Sequence, residues 1–383
     1  MKKRIVLILK EDIMLYPPVL SLINVLIELN YQVIHIGVYS DEAQRKQLVN
    51  KGVLFLPTIK YNGKDSLLKK LSNQLFFKHQ VKYYLKSLQL TEVDYIWMMQ
   101  TETVCLLSSL VEKYPTIVHY FEYVDSKVNW KYRSLAPSFN MAKTIKKARK
   151  VVCCEYNRAQ ILKGLFQLDT LPYVLPNKPY IDESKLHSVP SELNDFITNL
   201  SGKLKGKIVI LYQGIFLDAE RRLDEFCQAI QRMPEEYVFI AMGGSTPMYE
   251  DLKKKYASEK ILFLPFIKPP YHLLVTRLAS IGILSYFPRP NKISSILNPL
   301  YCAPNKIFEY AMFGIPMISN DIPGLHYIYL QYKCGECIPY PISTQYIEET
   351  IKKIRDDYKR YSQGAITYYK SVDLKQIVTN ILD

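Results

Sequence analysis

Short apolar runs alternate with pieces of helical period along most of this 383-residue chain. Ile5–Leu9, Gln32–Val38, Val53–Pro57, Asp94–Met99, Thr116–Tyr120 and Val151–Glu155 read as strands. Pro18–Leu29, Thr101–Lys113, Ser138–Lys150 and Asn157–Phe166 read as helices between them. The pattern resumes with strands at Lys207–Tyr212, Tyr237–Met242, Ile261–Pro265 and Ile281–Ser285. Parallel strands need long crossovers, and helices are the usual crossovers, so the alternation implies parallel sheets covered on both faces. The expected class is α/β, built from Rossmann-like domains. The length suits two to three domains at ~100–200 residues each. Pro172, Pro176, Pro179 and Pro190 mark a break. The expected division is residues 1–180, a linker over 181–205, a second domain over 206–360 and a C-terminal helical segment over 361–383.

Net charge is +14, which favours anionic partners. No nucleic-acid module is present, so nucleic acid is not an expected partner. No Gly-x-Gly-x-x-Gly follows the first strand and no Walker-type loop occurs, so the first domain is not evidently a nucleotide binder. Seven cysteines at irregular spacing make no disulfide framework and suit a reducing cytoplasm. Cys334-Gly-Glu-Cys337 is a lone C-x-x-C, whereas structural zinc takes four ligands, so no metal is expected. Lys10-Glu11-Asp12 cuts the first apolar run too short for a signal peptide. No run reaches the ~18 apolar residues of a membrane span.

Asp65–Leu90 reads as one long helix or two. Lys69, Lys70, Lys78, Lys82 and Lys86 crowd it, with Phe76, Phe77, Tyr83 and Tyr84 among them. Two readings stand: a core helix with a solvated face, or a patch that meets an anionic membrane surface.

The most specific stretch is Ala303-Pro-Asn-Lys-Ile-Phe-Glu-Tyr-Ala-Met-Phe-Gly-Ile-Pro-Met-Ile-Ser-Asn-Asp321. It reads as loop, short helix, turn and buried strand, and Tyr286–Ala303 before it, with Pro288, Pro290 and Pro299, reads as a loop. Asn305 is expected to cap the helix and Gly314 to end it in a left-handed turn. Glu309 falls one turn below Asn305 on the same face. A helix start suits a phosphate, and an ionised carboxylate accepts from two hydroxyls of a diol. Phosphate beside ribose makes a nucleotide.

The stretch resembles the nucleotide-binding segment of GT-B glycosyltransferases, especially the retaining enzymes of glycosyltransferase family 4. Capsule and lipopolysaccharide members with Pro-Asn-Lys-x-x-Glu-Tyr are similar to it. Tyr212-Gln-Gly214, Gly243-Gly244 and Phe263-Leu-Pro-Phe266 occur in the family's order, and the resemblance is strongest from Gly206 to Gly324. It implies the GT-B fold, in which two Rossmann-like domains face each other across a cleft. It implies that Glu309 holds the ribose hydroxyls and that Gly214, Gly243, Asn305 and Lys306 lie along the nucleotide-sugar. Arg221, or Arg222 if the register shifts by one, would meet the diphosphate. Phe266 and Ile267 would lie against the base, although apolar packing explains them equally well. Tyr301 departs from the pattern, standing where the family carries a Glu near the donor sugar; Ile215 likewise replaces a basic residue. His119 and Glu122, at the end of the fifth strand, match positions near the donor sugar or acceptor; a satisfied structural histidine is an even alternative for His119.

The resemblance thus implies a hexosyltransferase-type glycosyltransferase. It would move a sugar from a UDP-sugar to a glycan or lipid-linked acceptor in bacterial surface polysaccharide synthesis, with retention and without a metal or other cofactor. The expected place is the cytoplasm, peripheral on the inner face of the plasma membrane. Two alternatives remain at this level: a non-catalytic GT-B subunit that binds a partner or glycan, and a sugar-nucleotide epimerase.

Overall fold

The computed structural model describes residues 3–60, 65–91, 94–123, 136, 139–180, 186, 189–217 and 220–383. The chain divides into two units, Met1–Tyr180 with Asp373–Asp383, and Ile181–Val372.

The first unit runs β1 (Arg4–Asp12), α1 (Pro17–Glu28), β2 (Gln32–Val38), α2 (Glu42–Asn50), β3 (Leu54–Pro57), α3 (Leu67–Leu88), β4 (Tyr95–Met99), α4 (Thr101–Leu106), β5 (Thr116–Tyr120), α5 (Met141–Lys147), β6 (Lys150–Cys153), α6 (Tyr156–Phe166) and β7 (Tyr173–Val174). All pairings are parallel, in the order β3-β2-β1-β4-β5-β6-β7. Ile5 to Leu9 are all fully buried. A strand covered on both faces has no need to alternate, which is why the run is continuous. Its side chains still divide by period two. Val6 and Ile8 join the layer of Phe77, Val81 and Leu85 from α3, Met141 and Ile145 from α5, and Leu162 and Phe166 from α6. Ile5, Leu7 and Leu9 join Val19, Leu22 and Leu26 from α1.

The stretch read as one helix or two is a single helix, α3. Ser66 caps it by accepting from the Lys69 amide at 3.4 Å, and Gln89 ends it in a left-handed conformation. Of the helix read over Ser138–Lys150, residue 138 lies outside the described residues.

The second unit runs α7 (Ser191–Lys203), β8 (Ile208–Gln213), α8 (Asp224–Arg232), β9 (Tyr237–Gly243), α9 (Pro247–Tyr256), β10 (Ile261–Pro265), α10 (His272–Thr276), β11 (Ile281–Leu284), α11 (Ile293–Leu300), α12 (Asn305–Ala311), β12 (Met317–Asn320), α13 (Pro323–Tyr332), β13 (Gly335–Ile338), α14 (Thr344–Asp356) and α15 (Tyr358–Ser371). Its parallel order is β10-β9-β8-β11-β12-β13. The order reverses between β8 and β11, and in open α/β sheets ligands collect outside the carboxyl ends of strands at such a point. Val209 and Leu211 of β8 face one layer of the core, while Ile210 and Tyr212 face the other.

Two expectations need correction. The segment expected as linker contains α7, whose Ile197 and Leu200 join the second core. Prolines before it suggested a linker, while the spacing of Leu193, Phe196, Ile197 and Leu200 was the opposing signal. The segment expected as loop before Ala303 contains α11, with Pro299 inside it. The last helix, α16 (Leu374–Leu382), belongs to the first unit, where Val378, Ile381 and Leu382 enter the core shared with α1.

Candidate active site

The carboxyl ends of β8 and β9 approach unusually closely. A Cβ on Gly243 would stand 2.2 Å from the Gly214 carbonyl oxygen, so only glycine fits there. Gly214 has φ +135°, a conformation that side chains rarely adopt. A Cβ on it would meet the Lys306 Nζ at 2.8 Å. Gly214 therefore leaves room in which the Lys306 ammonium sits, and Gly243 lets the Gly214 backbone take its place.

Lys306 and Glu309 both come from α12, which a tyrosine anchors. The Tyr310 ring lies on Gly282 of β11, where a Cβ would come within 2.4 Å of it, and its hydroxyl donates to the Leu211 carbonyl at 3.1 Å. At the far end the Gly314 amide donates to the Ala311 carbonyl at 3.0 Å, and the Ile315 amide to the Tyr310 carbonyl at 3.1 Å. With Gly314 at φ +64°, this is a Schellman ending. The start differs from expectation. Pro304 is the N-cap, Asn305 is the first helical residue, and no side chain caps the helix. Asn305 is one position too late for its amide to accept from the first turn. The helix has only seven residues, so fixed side-chain charge matters more here than the helix dipole.

Glu309 is held on both oxygens. Gln213 Nε2 donates to Oε2 at 2.6 Å, and His272 Nε2 stands 3.2 Å from Oε1. Gln213 is itself fixed, because Thr276 Oγ1 donates to its Oε1 at 2.7 Å. Burial pushes the Glu309 pKa up, but His272, Gln213 and Lys306 outweigh it, and the group lies below the ordinary carboxylate range. Glu309 is thus an aligned carboxylate, with lone pairs to spare for hydroxyl donors. Gln213, His272 and Thr276 were not singled out in the sequence. The Tyr-Gln-Gly motif was the signal for Gln213; nothing in the chain order joins His272 to Glu309.

Two cations share an aromatic floor. Lys306 Nζ lies 4.5 Å from the Tyr212 ring centroid and 5.6 Å from that of Tyr286. Among the described residues it makes no hydrogen bond or ion pair. The Arg221 guanidinium lies 4.4 Å from the Tyr286 ring. Tyr286 is fixed in turn by Asn320, which accepts from its amide at 2.9 Å and donates to its carbonyl at 2.7 Å. Burial first, and Arg221 second, lower the Lys306 pKa to about 7 against a partial pull upward from Glu309. A proton and an anion would therefore bind here together. Arg221 Nη1 also donates to the Glu220 carbonyl at 3.1 Å and lies 3.6 Å from that carboxylate. Arg222 is elsewhere, paired with Glu225 and 5.2 Å from the Phe287 ring. Of the two arginines, Arg221 is the one beside Lys306.

Other expected site residues fall as follows. Phe266 is 64% exposed just past β10, while Ile267 is buried in the second core. Tyr301 is half-buried at the end of α11. In the first unit Glu122 is exposed just beyond β5. His119 is 2% exposed, its ring 4.3 Å from that of Phe121, and among the described residues neither ring nitrogen has a hydrogen-bond partner. Burial lowers its pKa to about 3. This corrects the expectation of a sugar-facing imidazole: His119 is sealed within the first unit.

No protein-family model matches the chain, and no curated protein matches it. Solved structures do. HepE of Anabaena, in complex with UDP-glucose, is similar over 99% of this chain and 98% of its own, with a TM-score of 0.67 and 13% identity. WaaG, a glycosyltransferase involved in lipopolysaccharide biosynthesis, matches over 99% of this chain and 98% of its own, with a TM-score of 0.61 and 11% identity. MnaA of S. aureus, in complex with UDP, matches over 99% and 95%, with a TM-score of 0.62 and 13% identity. At such identities the likeness carries the fold: the chain has the α/β GT-B fold, with two Rossmann-like parallel sheets.

Proposed function

We propose that this chain is a glycosyltransferase of hexosyltransferase type that takes a nucleotide-sugar, a UDP-sugar, on its second unit. The observation that carries the reading is one short helix bringing an aligned carboxylate, Glu309, and a half-buried ammonium, Lys306, to the carboxyl end of the switch-point strand β8. Glu309 would accept from the two ribose hydroxyls. Lys306 and Arg221 would meet the diphosphate, and Phe266 and Ile267 the base. Gly214 and Gly243 would let the phosphates approach the backbone. Tyr301 stands where a donor-sugar contact is expected. The similarity to structures holding UDP and UDP-glucose supports the choice of nucleotide.

In this reading the acceptor hydroxyl attacks the anomeric carbon on the face that the diphosphate leaves. The C–O bond to phosphate breaks as the new C–O bond forms, and a leaving phosphate oxygen takes the acceptor proton, so configuration is retained. Lys306 and Arg221 stabilise the developing charge in place of a divalent ion. Glu122, exposed just beyond β5, would serve the acceptor from the first unit, and His119 supports the strand end behind it. The acceptor is a glycan or lipid-linked sugar of a bacterial surface polysaccharide.

A second observation favours work at a membrane surface. The outer side of α3 exposes Leu68, Phe76 and Tyr83 at 80%, 53% and 71% beside exposed Lys82 and Lys86. Apolar residues among lysines suit an anionic interface, and a lipid-linked acceptor would be reached there. No helix among the described residues is long and apolar enough to cross a membrane.

The deciding experiment is a thermal-shift screen with UDP, GDP, CMP, ADP and TDP. A nucleotide at ~100 times its Kd stabilises by about 2.7 kcal/mol. A shift with UDP that Glu309→Ala removes supports the reading. No shift with any nucleotide favours a non-catalytic subunit, and consumption of a UDP-sugar without an acceptor favours an epimerase.

A further inference from the structure

The C-x-x-C of β13 is split by the strand. Residues three apart on a strand point to opposite faces. Cys334, fully buried, directs its sulfur to the Ile328 carbonyl at 3.9 Å. Cys337 instead joins a different set of groups. Asp321 follows the last residue of β12, and His326 lies in the first turns of α13. One ligand atom from each of Asp321, His326 and Cys337 lies within 4.8 Å of the other two. His326 Nδ1 and Asp321 Oδ1 already meet at 2.7 Å.

We propose that Asp321, His326 and Cys337 form a binding site for a thiophilic divalent cation of the zinc class. A carboxylate, an imidazole and a thiolate are the three donor types that zinc takes, at roughly 2.0–2.3 Å each. A tetrahedral ion at those lengths sets its ligand atoms about 3.2–3.8 Å apart. The observed ligand atoms, within 4.8 Å of one another, stand close to that spacing. As the sulfur–metal bond forms, the thiol proton passes to solvent. Asp321 and His326 are 52% and 41% exposed, so an ion can enter and one coordination position stays open.

A further buried group lies against the cluster. Tyr329, one turn beyond His326 on α13, is 4% exposed, and its hydroxyl faces Ser319 of β12, whose own hydroxyl stands 3.8 Å from the Cys337 sulfur. Its ring lies over Gly335, where a Cβ would stand 2.9 Å from it. Gly335 and Cys337 share a strand face. The site stands independently of the nucleotide reading, although Asp321 directly follows Asn320, which holds Tyr286.

Cobalt(II) is the probe, because a thiolate ligand gives it an intense sulfur-to-metal charge-transfer band in the near ultraviolet. The full chain, stripped with a chelator and reduced, is titrated with CoCl2. The expected result is a sulfur band that saturates at one Co2+ per chain and is displaced by Zn2+. Cys337→Ser abolishes the band, and His326→Ala weakens binding at least about tenfold. Cys334→Ser keeps the band. No sulfur band in the wild type, or a band that survives Cys337→Ser, overturns the proposal. If Cys337→Ser fails to fold in a thermal melt, His326→Ala decides, and wild-type Co2+ affinity in that variant overturns it equally.

Discussion

The Glu309 carboxylate stands 3.2 Å from the His272 imidazole, joining α12 to α10 across the end of β8. That contact and the Gln213 amide aim the carboxylate before any ligand arrives. Glu309→Ala is expected to weaken UDP binding by about 1.5–3 kcal/mol, the usual worth of hydrogen bonds to a charged group. Calorimetric titration reads this directly, and unchanged affinity would remove Glu309 from the ribose site.

Lys306 gives the site a pH signature. Its pKa is about 7 in the fold against 10.5 ordinarily. Between those values the unfolded chain holds a proton that the folded chain lacks, so folding stability rises as pH rises across this window. Lys306→Met should abolish that rise in denaturant titrations at pH 7 to 10. A diphosphate favours the ammonium, so UDP binding above pH 7 should take up as much as about one proton. Calorimetry in buffers of different ionisation heat measures it; zero uptake at pH 8 would separate Lys306 from the phosphates.

Gln213 links buried Thr276 to half-buried Glu309. Gln213→Leu keeps much of the volume but takes a donor from the Glu309 carboxylate and leaves the Thr276 hydroxyl only the His272 carbonyl, at 3.1 Å. The cost should be about 1–3 kcal/mol in urea unfolding, because buried polar groups are expensive to strand. A variant as stable as wild type would mean that water replaces the amide.

Gly243→Ala tests the glycine pair. The new methyl meets the Gly214 carbonyl, which must move. A loss of about 1–3 kcal/mol in stability is expected, typical of overpacking, together with weaker UDP binding as Gly214 shifts. Stability lost with full UDP affinity would place Gly214 outside the phosphate path.

The outer face of α3 is tested with vesicles. Substituting Lys82 and Lys86 by Gln removes two cations of the exposed face and should lower the partition constant onto anionic vesicles roughly 30-fold, at about 1 kcal/mol per lysine. Neutral vesicles should show little change. Equal sedimentation of variant and wild type would return α3 to the role of a core helix with a solvated face.

Much of the frame was readable because its signals are local. Ile5 to Leu9 form an unbroken apolar run, as a doubly covered strand must. Gly314 marked the end of α12 through a backbone angle that other residues avoid. The Pro-Asn-Lys-x-x-Glu pattern placed Glu309 and Lys306 on one turn of helix. What stayed hidden depends on topology. His272 meets Glu309 only because β8 lies beside β11, which brings α10 and α12 together. Proline misled twice: α7 follows a proline-rich stretch and α11 contains one, so both read as irregular. His119 looked like a cleft residue at a strand end, and only the packing of Phe121 against it decides otherwise.

Val378, Ile381 and Leu382 of α16 complete the core that α1 begins. On the ribosome, the unit translated first therefore cannot close first. Its sheet and α1 emerge early, but the part of their shared core that Val378, Ile381 and Leu382 fill stays open while the whole second unit is made. Such a chain departs from the usual order of N-terminal domain before C-terminal domain. It exposes the nascent first unit to chaperones for the length of the second, and couples the maturation of both to a single late event.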